Sequence, residues 1–293
     1  MFLIGNLRHV IVEYLTLSVL LYNALGNYTA YDPVEMLGHN ITEPSDDIPW
    51  YNDGGPCYSL KTALDIFTKD LYQTDQGVRI LLDNFYANVA QLKRSPPLIA
   101  SRKPFIVIEG MQRRLRYIVT RKVARYLKGM EVYNPPPGYL ELRSWFNHSS
   151  SLRRAYFALC VYIAANNVKM TLPYRAAVMS GYWLDQATFA LAKKYRPGLP
   201  PDDSTDWKWP EDLLKPDLIF YLTNKEEIDP TMTQYFPTRK PDPLKEIIGQ
   251  IFRKWEDPKL IFIQNSTRYR EIVAEMIPHI NNMLYNWRIQ TES

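Results

Sequence analysis

With 293 residues, 46% apolar and 23% charged, the chain has the composition of a folded globular protein with room for one large domain and an extension. A net charge of +4 is too mild to imply a nucleic-acid partner. Two cysteines, Cys57 and Cys160, exclude a disulfide-dense scaffold, and the scattered His9, His39, His148 and His279 lack zinc-ligand spacing.

Residues 1–30 form an apolar leader with a single arginine, Arg8. Tyr14 to Leu25 is apolar enough for a signal-peptide core, and Ala24-Leu25-Gly26 resembles a small-residue cleavage site. A packed N-terminal helix fits the same residues, and a transit peptide is a further reading. Membrane association is expected only through residues 10–26, if these are an anchor. On a secretory route Asn27, Asn40, Asn147 and Asn265 would be glycosylation acceptors, and the chain a glycosylated secreted or anchored structural protein.

Residues 31–100 read as linker and helical extension. Glu43-Pro-Ser-Asp-Asp47 and Asp53-Gly-Gly-Pro56 are turn chemistry. Leu60, Ala63, Leu64, Phe67 and Leu71 then recur at helical spacing, as do Val78, Leu81, Leu82, Phe85, Val89 and Leu92. Two amphipathic helices are expected, ending at Lys93-Arg-Ser-Pro-Pro97.

From residue 101 the rhythm is strand then helix. Strands are expected at 104–108, 131–133, 176–179, 217–222 and 260–264, and helices near 115–128, 151–169, 184–195, 243–256 and 267–287. That alternation predicts an α/β fold, a parallel five-stranded sheet flanked by helices.

The first unit, Pro104 to Leu127, is a buried strand, Gly110, and a helix. Strand–glycine–helix is where a phosphate-binding loop, G-x-x-x-x-G-K-[ST], sits. With Gly110 as the first glycine, Leu115 stands at the second, Arg116 at the lysine and Tyr117 at the hydroxyl. Leucine obstructs close backbone approach to a phosphate. Arginine keeps the charge without the compact ammonium, and tyrosine is a poor substitute for the small Mg²⁺-binding hydroxyl. Gly110, Arg113, Arg114 and Arg116 remain candidates for holding a phosphate or an acidic protein. Arg121, Lys122, Arg125 and Lys128 read as a solvated face suited to a helix C-terminal half.

Trp209-Pro-Glu-Asp-Leu-Leu-Lys-Pro-Asp-Leu-Ile219 resembles a segment of the thymidylate kinases, most closely of their mitochondrial UMP–CMP kinase branch. Arg153 to Leu159 is similar to that branch's helix beside the nucleotide base. Val178 to Ala192 is similar to the strand and helix around its Asp-Arg-Tyr-Trp motif. The resemblance spans about residues 101–290. It implies a P-loop kinase sheet, and phosphoryl transfer from ATP to a nucleoside monophosphate with Mg²⁺.

It also implies which groups are missing. Ser180 and Gly181 stand for the motif's aspartate and arginine, beside retained Tyr182 and Trp183. Asp185, one turn later, is a candidate replacement for the aspartate. Val161 stands for a polar asparagine, whereas Arg153, Arg154 and Phe157 survive as monophosphate-side candidates. The lid falls at 225–243, with Arg239 and Lys240 as its candidate cations. Losing one electrostatic contact of this kind costs roughly 10²–10³ in rate. The expectation is a thymidylate-kinase-like protein that has lost phosphoryl transfer, with no catalytic set intact, no metal site and no required cofactor. ATP and Mg²⁺ enter only in the alternative, a divergent kinase for UMP, CMP, their deoxy forms or dTMP. The family branch implies mitochondria.

Overall fold

Five parallel strands form one sheet in the order β2-β3-β1-β4-β5: β1 Phe105–Glu109, β2 Met130–Val132, β3 Ala177–Ser180, β4 Leu218–Leu222 and β5 Leu260–Ile263. The computed structural model describes residues 55–69, 72–99, 101–223, 242–264 and 268–292. The expected strands are all present, each within about a residue of its predicted place. The helices are α1 Leu60–Phe67, α2 Gln76–Arg94, α3 Arg113–Tyr126, α4 Ser150–Thr171, α5 Trp183–Tyr195, α6 Pro243–Lys254 and α7 Tyr269–Glu292. A 3₁₀ turn, Leu140–Phe146, precedes α4.

The period-two alternation of a strand divides β1 between two cores. Phe105 and Val107 meet α4, α5 and α6 through Val161, Leu184, Leu191, Ile247 and Ile251. Ile106 and Ile108 meet α3 and α7 through Val119, Val123, Ile272, Met276 and Ile280. Covered on both faces, β1 is buried at every residue.

A third core explains the composition of α4, a 22-residue helix with apolar side chains all round. One face, with Val161, Ala164 and Val168, lies in the sheet core. The other, with Leu152, Tyr156, Leu159 and Ile163, packs against Ala63, Phe67, Leu81 and Phe85 of α1 and α2. Cys57 and Cys160 are both buried and unpaired. Four helices are capped at their starts by Ser59, Asp75, Ser149 and Asp242.

The resemblance-bearing motif turns out to be structural bracing. Asp217 accepts both guanidinium arms of Arg102 at 2.7 and 2.8 Å, and the Phe105 amide at 2.7 Å, fixing the start of β1. Trp209 closes on its own motif, its indole N–H donating to the Leu213 carbonyl, and its ring meets Tyr182 and Trp183 edge to face or tilted. Trp207 likewise donates to the Pro201 carbonyl.

Candidate functional site

The site is built where β1 and β3 end and α3 and α5 begin. The chain leaves β1 through Gly110 at φ 136°, and a Cβ there would lie 2.7 Å from the Leu222 carbonyl oxygen. Only glycine permits this close passage. Three residues later the chain is helical, with α3 starting at Arg113 rather than at the expected residue 115. Arginine is a good helix former, and no second glycine interrupts the run. The connection is therefore Gly110-Met111-Gln112, too short for the six-residue loop that wraps a phosphate. Gln112, the residue before the helix, makes no capping bond with its side chain.

Arg113 and Arg114 lie exposed in the first turn of α3. Arg116 points inward instead, with its side chain only 4% exposed. Its Nη1 donates to Asp185 Oδ1 at 2.6 Å, and its Nη2 approaches Asp185 Oδ2 at 3.4 Å. A second carboxylate, Glu109 Oε2, lies 3.6 Å from Nη1. Of the three groups expected together as an anion site, two face solvent and the third is held by two acids of the chain itself.

Gly181 makes room for this arrangement. At φ 72° it turns the chain out of β3, and a Cβ there would lie 3.3 Å from both Arg116 Nη2 and Asp185 Oδ2. The Arg116 guanidinium thus packs closely against the place a Gly181 Cβ would take. The neighbouring Ser180 is buried, and its hydroxyl has no hydrogen-bond partner. Tyr117 packs on Tyr133 with ring centroids 6.3 Å apart. Leu115 is partly buried against the α3–α7 core. The position of the Mg²⁺-binding hydroxyl is thus taken by an aromatic ring, and the cation at the lysine position is already paired with Asp185. Among the described residues no cluster of histidine, cysteine and acidic side chains has metal-binding geometry.

The charge balance is set by Glu109, which the sequence reading passed over. It is fully buried, and its Oε1 accepts the Tyr182 amide at 2.9 Å, whereas Oε2 has no hydrogen-bond partner. Burial pushes its carboxyl up to about 8, with the Asp185 charge adding to the effect and Arg116 opposing it. Burial also disfavours the Asp185 charge, but the Arg116 guanidinium outweighs it and holds that carboxyl below the usual range. Arg116 thus favours the charged form of Asp185, whereas burial favours the protonated form of Glu109. The signal for Glu109 was an acid closing an otherwise apolar strand directly before a glycine.

The monophosphate-side residues sit on the first two turns of α4. Phe157 is partly buried, and the guanidiniums of Arg143 and Arg153 lie over its ring at 5.5 and 6.0 Å. Arg154 lies beside the buried Cys57 thiol, which burial raises and the Arg154 charge partly lowers. The Phe157 carbonyl accepts Gln186 Nε2 at 3.0 Å. The first turn of α5 therefore touches both regions, Asp185 reaching Arg116 and Gln186 reaching Phe157. The lid candidates Arg239 and Lys240, and the glycosylation candidates Asn27, Asn40 and Asn265, lie outside the described residues. Asn147 is exposed.

A stretch of 126 residues, 42% of the chain, is 35% identical to the human protein named UMP-CMP kinase 2, mitochondrial. Over that stretch the chain is similar to a nucleoside monophosphate kinase. It spans only 28% of the length of that relative. A solved thymidylate kinase from Candida albicans superposes on 62% of this chain and 92% of its own, with a TM-score of 0.46 and 15% identity. No protein-family model matches. Among the described residues no helix is long and apolar enough to cross a membrane.

Proposed function

We propose that this protein is a thymidylate-kinase-like chain that has given up phosphoryl transfer and serves as a binding or interaction module. The observation that carries the reading is the Arg116–Asp185 pair. The one cation at the phosphate-loop lysine position is buried and neutralised from within. Phosphoryl transfer is mostly positioning and charge stabilisation, so a site whose lysine-position cation is already neutralised has little to offer it. The tight α3 start, the Tyr117–Tyr133 packing and the replacement of two motif residues by Ser180 and Gly181 support the same reading. So does the use of the motif acids for bracing rather than chemistry.

The partner side is open at Arg113 and Arg114, which suit a nucleotide phosphate or an acidic protein segment. A mitochondrial setting is proposed from the relative's name alone. The second reading, a divergent kinase for UMP, CMP or their deoxy forms with ATP and Mg²⁺, is favoured by the identity to the named kinase.

The test is conversion of UMP, CMP, dUMP, dCMP and dTMP to diphosphates by the full chain with ATP and Mg²⁺, followed by ³¹P NMR. The proposal expects no diphosphate beyond the no-protein control. Enzyme-dependent diphosphate that disappears when Mg²⁺ is chelated would establish the kinase reading instead.

A further inference from the structure

We propose that the Asp185 carboxylate is an intramolecular anion, occupying Arg116 in place of an external oxyanion and so keeping a latent anion site closed. The inference deepens the non-catalytic reading of the same site and rests on it. Four observations meet here. Arg116 is buried and held at 2.6 Å by Asp185, while the Asp185 side chain itself is 38% exposed. The carboxylate therefore lies on the solvent side of the guanidinium, where an incoming anion would arrive.

Second, the pairing is incomplete. Arg116 Nε is buried without a hydrogen-bond partner, so a donor remains for a ligand with more acceptor atoms than a carboxylate. The hydroxyls of Ser180, at the end of β3, and of Thr120, one turn further along α3, are also buried and unpartnered. Third, the α3 amides begin at Arg113 with no side-chain cap, and their dipole favours negative charge at this end. Arg113 is near enough to Asp185 to act on its charge. Fourth, Gly181 holds space beside the pair that any other residue would fill.

The ligand class that fits is a tetrahedral oxyanion of the phosphate type. It would supply several acceptors to the Arg116 fork and to the first-turn amides of α3. Arg116, Gly181 and Asp185 are then one device. The longer guanidinium enters the space left by the glycine and finds its counter-ion one turn along α5. With the internal carboxylate in place, α3 and α5 are tied together without any ligand.

The experiment measures binding of inorganic pyrophosphate to the full chain by isothermal titration, with thermal unfolding as a second readout. Wild type should bind only weakly, through the exposed Arg113 and Arg114, with little shift in Tm. Asp185→Asn keeps the shape and removes the charge, leaving Arg116 only the buried and more distant Glu109 carboxyl, 3.6 Å away. It should bind pyrophosphate at least about tenfold more tightly than wild type, and its Tm should rise with pyrophosphate concentration. The double variant Arg116→Met, Asp185→Asn should lose that gain, which separates Arg116 from the exposed Arg113 and Arg114. Should Asp185→Asn not fold alone, its refolded fraction in pyrophosphate, compared with the same ionic strength of sodium chloride, takes the place of titration. Equal pyrophosphate binding by wild type and Asp185→Asn would overturn the proposal. So would a folded Asp185→Asn that binds none. Either failure leaves the phosphoryl-transfer result untouched, and diphosphate formation by wild type would instead remove the non-catalytic reading on which the proposal stands.

Discussion

The Asp212 carboxylate accepts the first amide of helix α1, from Leu60, at 2.7 Å. Its other oxygen accepts the Tyr162 hydroxyl at 2.6 Å. A residue of the family-like motif thus ties the N-terminal helices to α4. Two further bonds join the same segment, Tyr58 hydroxyl to the Asp206 carboxylate and Trp183 indole to the Cys57 carbonyl. The helical pair α1–α2, which carried no legible motif, is part of the fold around the site.

Replacing Asp212 by alanine removes one acceptor from an orphan helix amide and one from a largely buried tyrosine. The expected loss is about 1–2 kcal/mol, read as a lower urea midpoint with an unchanged slope. A midpoint equal to wild type would mean that water satisfies both groups and that Asp212 does not hold the extension.

Glu109 makes stability depend on pH in an unusual direction. Its folded value is raised to about 8 from an ordinary 4.5, so between these limits the native chain holds a proton that the unfolded chain has released. Stability therefore falls as pH rises through this window, by up to about 1.4 kcal/mol per pH unit. Glu109→Gln keeps the acceptor for the Tyr182 amide and abolishes the titration. Urea unfolding from pH 5 to pH 9 should show a declining midpoint for wild type and a flatter profile for Glu109→Gln. Parallel profiles would place the Glu109 carboxyl in its ordinary range.

Gly181→Ala tests the space beside the ion pair. The new methyl meets Arg116 and Asp185 at 3.3 Å on a backbone held at φ 72°, so strain and displacement act together. A loss of about 1–3 kcal/mol is expected. Combining it with Arg116→Ala, which removes one of those contacts, should cost less than the sum of the two single changes. Strict additivity would show that Gly181 and Arg116 do not share the space.

The sheet was legible because its strands are short apolar runs separated by amphipathic helices, a signal that survives without any catalytic residue. Phe105 to Ile108 reads as a covered strand from side chains alone. The helix α4 was legible as a helix, but its second buried face was not, because Leu81 and Phe85 reach it from a separate stretch of chain. At the site, the sequence exposed the missing lysine and hydroxyl at Arg116 and Tyr117. It could not show that Arg116 turns inward, since that depends on the space left by Gly181 and on Asp185, which lies 69 residues away along the chain. Glu109 was overlooked for the same reason: an acid at a strand end becomes buried only when β3, β4 and α5 close around it.

The most direct measurement of the central claim is equilibrium binding of ATP to the full chain, with and without Mg²⁺. The account predicts no ATP binding tighter than about millimolar, worth only about −4 kcal/mol, and no dependence on Mg²⁺. Micromolar, Mg²⁺-dependent binding that is lost in Arg116→Met would contradict it, because Arg116 would then be serving a nucleotide rather than Asp185.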